Sequence, residues 1–431
     1  MIRKLPGKDK ILFAVGGLGE NVTFQAVTAW LIFFWAGKGD PEKALVPIGL
    51  LGVLLGVGRF IEAFDDPLIG YLSDRTKSRW GRRFPYVFFG APFLALTFFL
   101  LWIPLAGVSI SAQAVYLFII LQLFFLAYTL VSAPYEGILP EIAKTSADRV
   151  STSAWRVLFG VIGAAIGLVV SGIIIQFFGF VAMGGILGIV SIIAFWIAVF
   201  GIRKRLSQSQ AVAKINLFVA LRSTLRNSQF LIFSLAFILF SLGLNLLTAL
   251  MPFYVKVILG RPEGMVALFS GLVLVSMLTS LPLYNLLSKL KGKKWVYSRS
   301  MFILAGLFPL LFVVGMLPIG DAFIQLVVLA ILIGVALAGQ FVFPNAILAD
   351  VIDYDATKTG LRREAIYYGM QNTLQKFSFA LSSIIFGTTL SFFGATVDHS
   401  LGLRLIGPIA GLATLFGFVI FVLWYKLPDE V

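Results

Sequence analysis

Apolar runs of about 20 residues recur from one end of this chain to the other, and that is the length a helix needs to cross a bilayer. No other property limits the fold as tightly. Of the 431 residues, 59% are hydrophobic and only 13% are charged, about half the charged share of a soluble protein. Roughly 34 residues for each span and its connection give about twelve spans. The expected fold is therefore an all-α polytopic membrane protein with twelve transmembrane helices. The absence of cysteine excludes disulfides, thiol catalysis and thiolate metal sites. A single histidine, His399, excludes a histidine metal cluster or Ser-His catalysis inside the membrane. A net charge of +14 would suggest nucleic acid in a soluble protein, but here basic connections between spans account for it.

Against this background the charges that interrupt apolar runs stand out. The segment from Arg59 to Pro85 reads RFIEAFDDPLIGYLSDRTKSRWGRRFP. Its first half is apolar enough to lie in a bilayer, yet it carries Arg59, Glu62, Asp65 and Asp66. A charge at bilayer depth costs about 2.5–3.5 kcal/mol on insertion scales, so such residues face a bundle interior and mark solute or ion pathways. Helical spacing puts Glu62 and Asp66 one turn apart on one face, with Arg59 on the same side. Two carboxylates so placed suit a cation; a static salt-bridge network with Arg59 is the structural alternative. Pro67 cannot donate to the carbonyl of Ala63, which frees a backbone oxygen beside them. Asp65, on another face, reads as a packing or gate partner.

Other spans carry polar residues as well. In the first, about Lys10 to Ala36, Glu20 and Thr23 interrupt the apolar run, and Asn21, Gln25 and Thr28 share a face. That face suits a polar cavity or interhelical hydrogen bonds. In the fourth, Tyr128, Ser132, Tyr135 and Glu136 share a face. The fifth has Trp155 and Arg156 near its inner end, then Gly160, Gly163, Gly167 and Gly172, which allow close helix approach. In span eleven, Lys376 lies deep in an apolar helix with Asn372 and Tyr368 on the preceding turns, and it needs an anionic partner or water.

The second half repeats the plan of the first. The basic turn from Lys289 to Lys294 takes the place of the segment Asp74 to Arg83. A charged loop, Asp350 to Asp355 followed by Lys358, Arg362, Arg363 and Glu364, takes the place of Glu141 to Arg156. Two six-helix halves with matching loops indicate a parallel repeat about the membrane normal. The expected organisation is a bundle over 1–202, a linker over 203–227 that forms an amphipathic surface helix or a solvated strand of chain, and a second bundle over 228–431. Lys and Arg concentrate at both ends and in the loops after spans two, four, six, eight and ten, which puts both termini in the cytoplasm of a multi-pass cell (inner) membrane protein.

Three blocks in order carry a family resemblance. RFIEAFDDPLIGYLSDRTKSRWGRRFPY resembles the second helix and following loop of the glycoside-pentoside-hexuronide:cation symporter family, the melibiose-permease branch of the major facilitator superfamily. PYEGILPEIAKTSADRVSTSAWR is similar to that family's fourth-to-fifth helix loop, and LADVIDYDATKTGLRREAIYYGMQNTLQK to its tenth-to-eleventh helix region. The resemblance implies two pseudo-symmetric six-helix bundles and secondary transport. It makes Glu62 and Asp66 the carboxylates that bind the coupling cation, Na⁺ or H⁺. It makes Lys376 the helix-eleven lysine of the site, and Arg156 an arginine beside the substrate. Asp350 and Asp353 correspond to carboxylates that tie the inner gate. The chain departs from the sugar permease at Asn21 and Ser132, where that protein has aspartates, and at Glu136, where it has a tryptophan. Those are its galactoside-binding positions, so a galactoside is not implied. The family also resembles sodium-dependent lysophospholipid symporters, which leaves an amphiphile as the alternative substrate.

The expected site therefore comprises Glu62 and Asp66 for the cation and Asn21, Gln25, Tyr128, Ser132, Glu136, Arg156, Asn372 and Lys376 for the solute. The expected gate comprises Arg59, Asp74, Arg75, Glu141, Arg149, Asp350, Asp353 and Arg363. With the site empty Lys376 pairs with the acids; an arriving cation frees it to meet substrate. No cofactor is expected besides the coupling cation. The expected partners are a small solute and the lipid bilayer, with no nucleic acid, and the protein is expected to be a monomer. A channel would need polar faces on more helices, a receptor would not need intramembrane charges in both halves, and an enzyme lacks a nucleophile–base pair.

Overall fold

The computed structural model describes residues 5–143, 145–206, 224–318, 320–359 and 364–427. These are almost wholly helical, with no strand among the described residues. The helices are α1 (Gly7–Ala14), α2 (Gly16–Trp35), α3 (Ile48–Arg75), α4 (Phe84–Leu100), α5 (Ile110–Ile142), α6 (Ser146–Ala165) and α7 (Ser171–Leu206). They continue with α8 (Ser228–Phe253), α9 (Met265–Lys291), α10 (Lys293–Leu307), α11 (Ala322–Thr359), α12 (Glu364–Phe393) and α13 (Leu401–Trp424). A π turn, Ile166–Val170, joins α6 to α7 without a break. Gly179, at φ 83°, then divides α7; only glycine takes that conformation without strain. Counting α1 with α2, and the two sides of Gly179 separately, the described helices make twelve spans.

The chain divides into two compact units, Met1–Val212 with Pro262–Ala267, and Ala213–Arg261 with Leu268–Val431. In the first, α2 packs on α6 and α7, α4 on α5 and α7, and α3 on α5. The α2–α6 seam is glycine-made. A Cβ on Gly163 would lie 2.5 Å from the Leu18 carbonyl oxygen, and one on Gly167 would lie 2.6 Å from that of Val22. At the far end of the same helices Phe34, Trp102 and Phe180 form an aromatic cluster, and the Trp30 indole donates to Ser171 Oγ at 2.8 Å. In the second unit α8 packs on α12 and α13, and α10 on α11 and α13. In its core Phe421 stacks on Tyr425 and meets Tyr297 edge to face.

Helix starts follow their capping residues. Ser109 accepts from the Ala112 N–H, Thr145 from Asp148, and Asn227 from Gln229 and Phe230, each satisfying a first-turn donor. Helix ends differ from the expected loops. Glu141 belongs to the last turns of α5, which runs on past Pro134 and Pro140, and Asp350 and Asp353 belong to α11, which continues to Thr359. A helix does not stop where its apolar run stops, because its backbone ladder continues while the charged side chains find ion partners, as Glu141 and Asp350 do. The amphipathic helix expected within 203–227 falls largely on residues 207–223, outside the described residues.

Candidate functional site

Helix α3 carries the first element of the site. Arg59 pairs with Glu62 one turn on, and the pair is sealed, with side-chain exposures of 2% and 0%. The Arg59 guanidinium carbon lies 4.3 Å from the Phe24 ring centroid on α2 and 4.4 Å from that of Phe125 on α5. Two ring faces thus receive a cation already neutralised along its edge, an arrangement worth about 2 kcal/mol or more per ring when desolvated. Arg59, grouped with the gate from sequence, is in the structure the immediate partner of Glu62. The side chain of Asp66 lies outside the described residues, as do that of Asp74 and the whole of Arg363.

A second ion cluster joins α2, α5 and α6. The Arg156 guanidinium donates to Glu136 of α5 and reaches Glu20 of α2 at 3.5 Å. Its carbon lies 5.6 Å from the Tyr135 ring centroid, and the Tyr135 hydroxyl donates to the Phe13 carbonyl at 2.8 Å. Two glycines set this geometry. A Cβ on Gly16 would meet the Tyr135 ring at 2.5 Å, and one on Gly17 would meet the Arg156 carbonyl at 2.7 Å. Tyr128, one turn below Ser132 and two below Glu136, packs its ring at 5.5 Å from Phe24. The same Phe24 ring faces the Arg59 guanidinium, so Tyr128 and Arg59 share it as a neighbour. Ser132 is buried on the same helix.

Asn21 and Gln25 sit in the α2–α6 seam. The Asn21 amide donates to the Gly17 carbonyl at 2.9 Å and lies against Gly160, while Gln25 faces Gly167. Glu20, which sequence reasoning noted but did not assign, is the α2 residue that reaches Arg156. Its signal was available, since it is a charge within an apolar run like Glu62. Phe24 and Phe125 had none, because an aromatic residue in such a run reads equally as lipid-facing.

A third set of ion pairs gathers where α1, the α3–α4 turn and the α5–α6 turn meet. Arg82 Nε donates to Glu141 at 2.7 Å and Arg83 Nη1 lies 2.9 Å from the same oxygen, while Arg83 also donates to the Gly137 carbonyl. Arg149 Nε donates to the Ala143 carbonyl at 3.0 Å. Arg75, at the end of α3, is exposed. Beside them Asp148 accepts from Lys10 at 2.8 Å, Thr145 at 2.8 Å and the Leu5 N–H at 3.2 Å. The Lys10 ammonium first, then the hydroxyl and the amide, hold the Asp148 carboxyl down to about 2.

In the second unit Lys293, at the start of α10, pairs with Asp350 of α11 at 2.6 Å. This repeats the first unit's plan, in which basic residues ahead of the third span hold an acid near the C-terminal end of the fourth. Asp353 is half-buried. On α12 Lys376 is half-buried, Tyr368 and Asn372 are exposed, and Gln371 is buried with no hydrogen-bond partner for its Oε1.

Twelve helical spans arranged in two units, with ion pairs set among the spans, define a polytopic membrane transporter rather than an enzyme. The chain belongs to the family described as MFS/sugar transport protein, whose profile matches residues 12–427. It is 27% identical to the inner membrane symporter YicJ of Escherichia coli (strain K12), an alignment that covers 90% of this chain and 83% of that one. It is 24% identical to the isoprimeverose transporter of Lactiplantibacillus pentosus, over 92% of this chain and 82% of that one. Among solved structures, a mutant of the nucleoside transporter NupG shares the fold, with a TM-score of 0.68 at 16% identity over 97% of this chain and 100% of that one.

Proposed function

We propose that the protein is a cation-coupled symporter that moves a sugar or glycoside through the cell membrane by alternating access, with both termini cytoplasmic. The observation that carries this is the two ion clusters set among the spans of a chain from a sugar-transport family, the sealed pair Arg59–Glu62 and the part-exposed set Glu20–Arg156–Glu136. Carboxylates accept pairs of sugar hydroxyls, a guanidinium donates to ring and hydroxyl oxygens, and Tyr128 and Tyr135 offer faces for the apolar side of a ring. The relative named for its substrate carries a sugar, and the family's description is one of sugar transport, so the amphiphile alternative is set aside.

In this reading Glu62, with Asp66 one turn further along α3, takes Na⁺ or H⁺, and Arg59 is the counter-charge that keeps Glu62 compatible with burial until the ion arrives. Lys376 of α12 is the remaining proposed participant. Substrate and cation then favour each other by linkage, a coupling of about 1–3 kcal/mol, and the membrane potential adds about 2.3 kcal/mol per charge per 100 mV.

Uptake of labelled sugars by proteoliposomes tests the reading, with Na⁺ and pH gradients imposed separately. One of the two gradients should drive accumulation, and Glu62→Gln and Asp66→Asn should each abolish the stimulation. Full coupling in both variants would refute the cation assignment.

A further inference from the structure

The charge count around Arg156 is unequal, and the inequality bears on which sugars the protein accepts. One guanidinium faces two carboxylates, Glu20 and Glu136. In the neighbouring cluster Arg59 is paired with Glu62. Within the first unit's apolar spans two arginines, Arg59 and Arg156, stand against five carboxylates, Glu20, Glu62, Asp65, Asp66 and Glu136.

The three groups also differ in reach. Side-chain exposure rises from 10% at Glu20 to 25% at Arg156 and 37% at Glu136. Helices α2 and α6 press together along their glycines, whereas α5 meets each at only a few positions, one of the links being the Arg156–Glu136 bond. Glu136, the most exposed of the three, is the group a solute would meet first. Arg156 comes next, held at its back by Glu20.

We infer that Glu20 and Glu136 act as a charge filter at the substrate site: they admit neutral, polyhydroxylated sugars and turn away anionic ones such as uronates and sugar phosphates. This rests on the sugar reading above and narrows its substrate class. An arginine standing alone would recruit a carboxylate or phosphate as its bidentate partner. Here both of its partners are built into the protein. An anion must either displace Glu136, leaving that carboxylate unpaired, or approach a cluster in which carboxyl groups already outnumber the guanidinium. A neutral sugar needs neither. Its vicinal hydroxyls can donate to Glu136 while Arg156 donates to its oxygens, and the ion pair is bridged rather than broken. Glu136 is the specificity-determining contact, and Glu20 is a positioning residue that acts through Arg156.

The test uses the purified full chain in nanodiscs and calorimetric binding of 4-nitrophenyl glycosides. The neutral probes are the α- and β-glucosides, galactosides and xylosides; the anionic probe is the β-glucuronide, which differs from the glucoside only at C6. At least one neutral glycoside should bind, and the glucuronide should bind weaker by on the order of tenfold or more, as expected for one uncompensated charge at low effective dielectric. Glu20→Gln with Glu136→Gln together should shrink or invert that ratio by at least the same factor. The Asp replacements at both positions should preserve it, an outcome that a purely structural role would not give. Should the double variant fail to elute as folded protein, Glu136→Gln alone, at the most exposed member, carries the same expectation. A wild-type protein that binds glucuronide as tightly as glucoside, or a ratio untouched by the Gln variants, overturns the filter and leaves sugar transport standing. Binding of no glycoside at all overturns both.

Discussion

The Arg59–Glu62 pair lends itself to a quantitative test, because its burial removes the usual uncertainty about solvent screening. With side-chain exposures of 2% and 0%, neither partner can turn to water if the other is deleted. Removing one member of such a pair costs about 3–5 kcal/mol, most of it the penalty of a stranded buried charge. The two single variants should not be equal. Glu62→Leu leaves the guanidinium between the Phe24 and Phe125 rings, which still stabilise a cation, so its cost should fall near about 3 kcal/mol. Arg59→Met deletes both ring contacts and strands a carboxylate that is wholly buried, so its cost should fall near about 5 kcal/mol. The double variant, Arg59→Met with Glu62→Leu, removes both charges of the pair and keeps comparable volume. It should recover most of the loss, because well-packed apolar replacements of buried ion pairs are often neutral or stabilising. Unfolding by SDS titration, followed by tryptophan fluorescence, supplies the double-mutant cycle, with a coupling energy of several kcal/mol expected. The same double variant should be stable and yet show no cation-stimulated uptake, which separates the pair's structural role from its proposed coupling role. A double variant destabilised by the sum of the two singles would refute the reasoning, since it would mean that the partners do not depend on each other.

Two further perturbations probe the frame that holds the site. Gly163→Ala places a Cβ 2.5 Å from the Leu18 backbone oxygen, so α2 and α6 must part, at a cost of about 1–3 kcal/mol; Gly137→Ala also meets an atom at 2.5 Å, but that atom is the Arg83 guanidinium carbon, which can swing away, so the loss should stay within about 1 kcal/mol. Equal losses in the same SDS titration would argue against the glycine seam. Asp148 is held down to about 2 by Lys10, Thr145 and the Leu5 N–H, against about 3.9 in an unfolded chain. Its contribution to stability is therefore fully present above pH of about 4 and is lost as pH falls through about 2. Asp148→Asn should lower stability at neutral pH and converge with the parent protein below that window. A stability difference unchanged between pH 6 and pH 2 would sink the assignment.

The fold was legible in the sequence because the bilayer simplifies the problem: an apolar run of span length has few alternatives to a helix. The places where expectation and structure part are the ends. Glu141, Asp350 and Asp353 were placed in loops because hydrophobicity ends near them, yet all three are helical. Hydropathy reports where hydrocarbon stops, whereas the helix continues until a turn residue stops it, as at Gly292 after α9. The correspondence of the basic turns with the acidic segments did carry through. Arg82 and Arg83 hold Glu141 in one unit as Lys293 holds Asp350 in the other.

The site was legible to a different degree, and the boundary is instructive. The cost of an intramembrane charge singles out Arg59, Glu62, Glu136, Arg156 and Glu20 alike, without any knowledge of the fold. What it cannot supply is pairing, since helical periodicity assigns residues to faces but does not say which face meets which neighbour. Asn21 and Glu20 are adjacent, and about 100° separates them around α2. The choice between them is made by Gly17, Gly163 and Gly167, whose lack of side chains lets α6 seat on the Asn21 side at backbone distance. That seating takes the Asn21 amide into the seam, where it bonds its own helix, and turns Glu20 toward Arg156. The glycines were noticed as small residues, but their consequence is rotational: they set the angle of α2 about its axis, and with it which of two neighbouring polar residues belongs to the ion cluster.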